Sequence, residues 1–152
     1  MGARGSAREE LNAISRLPMS ASKYKLAEKA LLEQQRVVTE LQSLVKSIER
    51  SEKTINDLKK ELEAVQNKYP VRKTTQEEIA YLTDLLKCAH KKLGWEKQLS
   101  SLQKRTPVIL DQLTSLMNDP TNPPSDDMRG AMLRALQGVK VAIERLEKVK
   151  AE

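Results

Sequence analysis

Between Val37 and Tyr69 the chain places apolar side chains at alternating steps of four and three: Val37, Leu41, Leu44, Ile48, Ile55, Leu58, Leu62, Val65 and Tyr69. Written as heptads, Leu41, Ile48, Ile55, Leu62 and Tyr69 take position a, and Val37, Leu44, Ser51, Leu58 and Val65 take position d. Only Ser51 puts a polar group into a core slot. A helix with this pattern has one narrow apolar seam and has to bury it against another helix. The expected fold is therefore all-α, a long coiled-coil helical hairpin with a C-terminal antiparallel helical bundle. The residues from Val37 to Val65 are read as an oligomer seam toward another copy or another protein. The pattern itself leaves open whether the seam closes within the chain or between chains.

Charged residues make up 32% and aromatics 3% of the 152 residues, and phenylalanine is absent. That balance suits long amphipathic helices better than a broad aromatic core. The net charge of +6 is uneven. Residues 1–73 carry fifteen basic against ten acidic side chains, and the remainder twelve against eleven, which leaves +5 in front and +1 behind. Interspersed lysines and glutamates on a coiled coil ordinarily form a solvated face, and an acidic partner for the front half is the alternative. A single cysteine, Cys88, rules out an internal disulfide and fits a reducing compartment. No run reaches the ~18 apolar residues of a membrane span. The expected location is cytoplasmic, with a membrane-associated or cytoskeletal position as alternatives.

Residues 1–19 read as a basic arm. Gly2 with Ser6 matches the short pattern of an N-myristoylation site, and Arg4, Arg8 and Arg16 would add the electrostatic signal that one acyl chain needs at an anionic membrane surface. Ser6 and Glu9 equally make a capping box for a short helix from Ala7 to about Arg16. A coiled-coil helix is expected over 20–69, stopped by the Tyr69-Pro70 step. Thr74 or Thr75, with Glu77 or Glu78 three residues on, caps the next helix. A helical bundle is expected over 74–152, with helices at about 75–104, 107–117 and 126–150. Gly94 predicts a bend and Thr106-Pro107 a restart. Ile79, Leu82, Leu86, Ala89 and Leu93 form the apolar stripe of the second helix. A short hairpin connection makes antiparallel neighbours, so the front of the first helix is expected to overhang and seek a partner.

Catalytic chemistry finds little footing. Cys88 and His90 sit two apart on a helix and point to different faces, and there is no second cysteine or histidine. No catalytic, cofactor-binding or metal-binding residue is assigned, no cofactor is expected, and an enzyme is the least supported class. Nucleic acid is not expected as a partner, because the basic stretches lack interleaved aromatics. Trp95 is read as a buried indole of the bundle, with a partner anchor as the alternative.

The last third carries a family likeness. Leu113 to Asp119 reads Leu-Thr-Ser-Leu-Met-Asn-Asp, a proline-containing loop follows, then Asp127-Met-Arg129, then Val139-Lys-Val-Ala-Ile143-Glu-Arg-Leu146-Glu147. Over residues 78–150 this resembles a BAG domain. The resemblance implies helices that grip the nucleotide-binding domain of an Hsp70 chaperone and promote nucleotide release. Arg134 falls where the family carries its contact arginine, and Asp111 stands for an acidic contact on the preceding helix. Ala142 stands where the family has glutamine, a departure from its pattern. The leading expectation is a non-enzymatic helical interaction protein, a coiled-coil scaffold or subunit of a multiprotein complex. The alternatives are a BAG-like co-chaperone and nucleotide-exchange factor, or a myristoylated peripheral membrane adaptor.

Overall fold

A computed structural model describes residues 21–151. Gly2, the other arm residues and the short helix expected over Ala7–Arg16 lie outside the described residues. The fold is all-α: α1 spans Ala21–Lys68, α2 spans Thr75–Met117 and α3 spans Asp126–Ala151, with no strand among the described residues.

The helix ends follow their local chemistry. Beyond Lys68, the Tyr69 amide still donates to the Val65 carbonyl (3.2 Å) before Pro70 stops α1. Thr74, rather than Thr75, caps α2. Its Oγ1 accepts from the Glu77 amide at 3.1 Å, while the Glu77 carboxylate accepts from the Lys73 amide at 2.9 Å. Two orphan donors of the first turn are thereby satisfied. Ser125 caps α3, its Oγ accepting from the Met128 amide at 3.1 Å. In the connecting loop Asp119 Oδ1 accepts from the amides of Thr121 (2.9 Å) and Asn122 (3.4 Å), an Asx turn.

The expected restart of α2 at Thr106-Pro107 is absent. The helix runs unbroken through Gly94 and Pro107 to Met117, so separate helices at 75–104 and 107–117 are not formed. Pro107 removes one backbone donor and crowds the preceding turn, a penalty of about 3 kcal/mol. Ile109 and Leu113, each 2% exposed, offset it, since burying one such side chain contributes about 1.5–3 kcal/mol. Gly94 lies on an exposed part of α2 with open space where a Cβ would stand, and one glycine does not outweigh the flanking helix.

The chain divides into two compact units, each built from pieces of all three helices. Among the described residues, the first unit takes α1 as far as Val45 together with Arg105–Val141, and the second takes Lys46–Lys104 and α3 from Ala142. In the first unit Val37, Leu41 and Leu44 are fully buried in a core that also holds Ile109 and Leu113 of α2 and Met128, Met132 and Val139 of α3. Gln34 is buried beside them, and its Nε2 donates to the Asn122 carbonyl at 3.1 Å, tying α1 to the α2–α3 loop. An added Cβ on Gly138 would meet Val45 at 3.4 Å, so α3 lies against α1 at van der Waals distance there. In the second unit Ile48, Ile55, Leu58 and Val65 are buried with Cys88 and Trp95 of α2 and Ala142 and Leu146 of α3.

These burials correct the oligomer-seam reading. Val37, Leu41, Leu44, Ile48, Ile55, Leu58 and Val65 are covered by the chain's own helices, and only Leu62 remains 38% exposed. The expected overhang is shorter than predicted: no residue from Ser22 to Glu33 is buried, and Leu26 and Leu32 are exposed, but cover begins at Gln34. The stretch from Val37 to Leu44 is the most deeply buried part of α1, because unbroken α2 and α3 supply the side chains that cover it.

Gly94 gives a direct test of the continuous helix. Gly94→Ala adds a methyl group into open space on an intact helix and should stabilise the fold by about 1 kcal/mol, read from urea unfolding followed by circular dichroism. A destabilised variant would mean that α2 bends at this residue.

Candidate interaction groove

The site lies in the second unit, where α1 and α2 run antiparallel. Its deepest contact is a large side chain against a small one. Trp95 Nε1 donates to the Ser51 backbone carbonyl at 2.9 Å, in a fully buried setting. The single polar d position of the heptad is the place where the indole meets α1. Ser51 Oγ itself is buried and has no hydrogen-bond partner. Its value lies in being small, and its hydroxyl is a net burden there. Trp95 thus acts as a core anchor within the chain.

The two long edges of this helix pair differ. Along one edge Lys91 Nζ reaches both carboxylate oxygens of Glu61, at 2.8 and 2.9 Å. The hydrogen bond and charge of Glu61 push the Lys91 ammonium pKa upward. A raised lysine pKa means that this contribution is present below the unfolded value and is lost as alkaline pH passes the folded one. Near the connection, Arg72 clasps the hairpin. It pairs with Glu78 at 2.8 Å, donates to the Tyr69 carbonyl at 3.0 Å and lies 3.9 Å over the ring of Tyr81. Tyr81 in turn meets Tyr69 edge-on, with centroids 6.0 Å apart.

The other edge is open. A groove of about 640 Å³ runs along it, floored by Ile55, Leu58 and Leu62 of α1 and by Leu85, Cys88, Ala89 and Trp95 of α2. Lys59, Lys92 and Lys150 stand on its wall, and no carboxylate lines it. Lys59 is held in place by donating to the Val149 carbonyl in the last turn of α3, and Lys150 pairs with Glu147 at 3.4 Å. Beside the groove, the α2 stripe expected in the bundle core faces outward. Ile79, Leu82 and Leu93 are about half exposed and Leu86 is 71% exposed. Leu86 and Leu93 directly follow the lining residues Leu85 and Lys92. At about 100° per residue the stripe is therefore the next strip of surface around α2.

The structure turns α2 this way because its apolar residues cover more than one face. The core accepts the strip that carries Cys88 and Trp95, since an indole buries more apolar area than a leucine and its N–H finds the Ser51 carbonyl. The leucines of the heptad-like strip are left outside. The sequence flagged that stripe and Trp95, and it overlooked the lysine rim and the Arg72 clasp. Lysines at 59, 92 and 150 read as ordinary solvated positions until three helices bring them to one groove.

The remaining sequence candidates lie elsewhere. Arg134 is exposed on α3 of the first unit, with its guanidinium lying over Gly130, 3.2 Å from where a Cβ would stand. Asp111 is exposed on α2, and among the described residues no ion pair joins the two. Cys88 is buried and unpaired. Among the described residues no group of three or more histidine, cysteine, aspartate or glutamate side chains is arranged to hold a metal ion, and no helix is long and apolar enough to cross a membrane. Comparison with models of protein families, with curated proteins and with solved structures finds no match.

Ser51 allows the anchor to be tested. Ser51→Ala removes the orphaned hydroxyl and should stabilise the protein by about 1 kcal/mol. Ser51→Leu, which a plain heptad would welcome, should destabilise it by about 1–3 kcal/mol by crowding the indole. Thermal unfolding of both variants, with the Trp95 emission maximum as a local readout, checks this opposition of sign. A stabilising leucine would remove the anchor interpretation.

Proposed function

We propose that this chain is a non-enzymatic helical interaction protein, a scaffold or subunit of a multiprotein complex, whose contact surface is the α2 stripe with its adjoining groove. The observation that carries the reading is the exposure of Ile79, Leu82, Leu86 and Leu93, four large apolar side chains at helical spacing on one continuous helix. Single exposed leucines are ordinary on any protein, whereas an aligned strip beside an apolar groove is the surface that a partner helix covers. The heptad of α1, already buried, acts as the internal frame that holds this surface.

The reading is tested by replacing the strip and keeping the frame. Leu82→Gln, Leu86→Gln and Leu93→Gln together alter only exposed positions, so helicity and melting temperature should hold or rise slightly. Affinity capture from the cells that make the protein, quantified against wild type, should lose its main partners by tenfold or more. Equal recovery with both forms would overturn the reading.

A second reading rests on Arg134. Its exposure on α3 is what the BAG-like resemblance requires of a contact arginine, and Asp111 is likewise accessible. In this reading the first unit binds the nucleotide-binding domain of an Hsp70 chaperone and speeds nucleotide release. Release of a fluorescent nucleotide from that domain, timed with the full chain and with Arg134→Ala, decides the matter. Acceleration by wild type that falls at least fivefold in the variant supports the co-chaperone. No acceleration at tens of micromolar removes it.

A further inference from the structure

The groove of the second unit has a particular chemistry, and we infer that its occupant is an acidic amphipathic helix of a partner protein, seated between α1 and α2 with carboxylates toward Lys59, Lys92 and Lys150. The inference rests on the interaction-protein reading and specifies its partner class.

Charge complementarity sets the sign of the partner. Three lysines and no acidic residue are among the side chains that line the groove. Lys59 and Lys150 are positioned by contacts of their own, to the Val149 carbonyl and to Glu147. Lys92 makes no ion pair with any described residue. Across the pair, the edge bearing Glu61 is closed by Lys91, so the cationic edge and the open edge are the same one. Aspartates or glutamates flanking the apolar face of an incoming helix would meet these lysines at the rim. There they steer association and select the partner more than they add affinity.

Shape sets the form of the partner. In the first unit a face made by α1 and α2 is filled by a helix, with Met128, Met132 and Val139 of α3 in its core. In the second unit Leu62 and Ala89 are left exposed on the groove. The exposed strip of Leu82, Leu86 and Leu93 extends the apolar surface beyond the groove itself. A fatty acid in the groove would leave that strip in water, whereas a helix of four or five turns covers both. A second copy of this chain is disfavoured by its own charge, since a net +6 chain would bring lysines toward lysines.

The chain carries two reporters at this place. Trp95 is its single tryptophan and Cys88 its single cysteine, and both line the groove. The probe is a synthetic 18-residue helical peptide with leucine and alanine on one face and glutamates flanking it, titrated into the full-length protein. Its counterpart has lysine at every glutamate position. The acidic peptide should shift Trp95 emission and slow alkylation of Cys88 by at least fivefold. Its dissociation constant should weaken at least fivefold between 50 and 300 mM salt, as screening of exposed charges requires. Lys92→Glu with Lys150→Glu should weaken the acidic peptide at least tenfold and create affinity for the lysine peptide. Ala89→Phe, at an exposed position, should block the groove without altering helicity and abolish binding of the acidic peptide.

Equal binding of the two peptides, or binding that ignores the charge reversal, overturns the acidic assignment. Response to oleate with none to either peptide makes the groove a lipid slot and overturns it too. So does a mass that doubles with protein concentration and protects Cys88 without peptide, since the groove is then a seat for a second copy. If the peptides fail while wild type still captures partners that the Leu82, Leu86 and Leu93 variant loses, the acidic-helix inference falls and the interaction reading stands. If capture also fails to distinguish the variant, both fall.

Discussion

Everything in this fold depends on removing one apolar seam from water. From Val37 to Val65, α1 exposes a ridge at heptad spacing along nearly thirty residues, and no helix with such a ridge is stable alone. The chain covers it from within. In the first unit the cover comes from Ile109 and Leu113 on α2 and from the methionines and Val139 of α3. In the second unit it comes from Trp95, Cys88, Ala142 and Leu146. A narrow seam filled in this way has little left to offer a partner, and Leu62 is the exception. The exposed apolar strip therefore lies on α2 rather than on α1, where heptad logic puts it.

That placement follows from one mismatch of size. Ser51 is the small position of the seam, and the buried Trp95 anchors itself to the backbone carbonyl at that residue. A side chain so large fixes the rotation of α2 about its axis. Once that rotation is set, Cys88 turns inward with the indole, Leu85 and Ala89 line the groove, and Leu82, Leu86 and Leu93 face solvent. The groove and the strip are thus consequences of core packing, in the way that binding surfaces often are on helical frames. Glu61 and Lys91 close one edge of the pair, and lysines mark the other.

Local chemistry ties the frame at its turns. Thr74 and Ser125 cap the two later helices, and Asp119 folds the loop between them. Arg72 combines an ion pair, a carbonyl contact and a ring contact at the α1–α2 connection. Exposed ion pairs such as Lys53–Asp57, and the pairing of Arg36 with Glu33 and Glu40, decorate α1 and add little to its stability. The packing that matters is apolar, and the polar contacts that matter are the few that are buried: Gln34 to the Asn122 carbonyl and Trp95 to the Ser51 carbonyl.

Much of this was legible in the residues alone. The all-α class, the stop at Tyr69-Pro70 and a threonine cap at the start of α2 follow from periodicity and from local hydrogen-bonding chemistry. Those signals act over a few residues, so no knowledge of distant neighbours is needed to read them. Pro107 misled for the same reason: its local penalty is real, but burial of Ile109 and Leu113 by residues far away in the chain outweighs it. Only the tertiary structure decided that the heptad seam is satisfied internally, which strip of α2 faces the core, and that Lys59, Lys92 and Lys150 share one groove. A period of 3.5 states that a face must be buried and is silent on what buries it. A charged residue's position in sequence is likewise silent on which charges it will stand beside, because that is set by how three helices are rotated and packed.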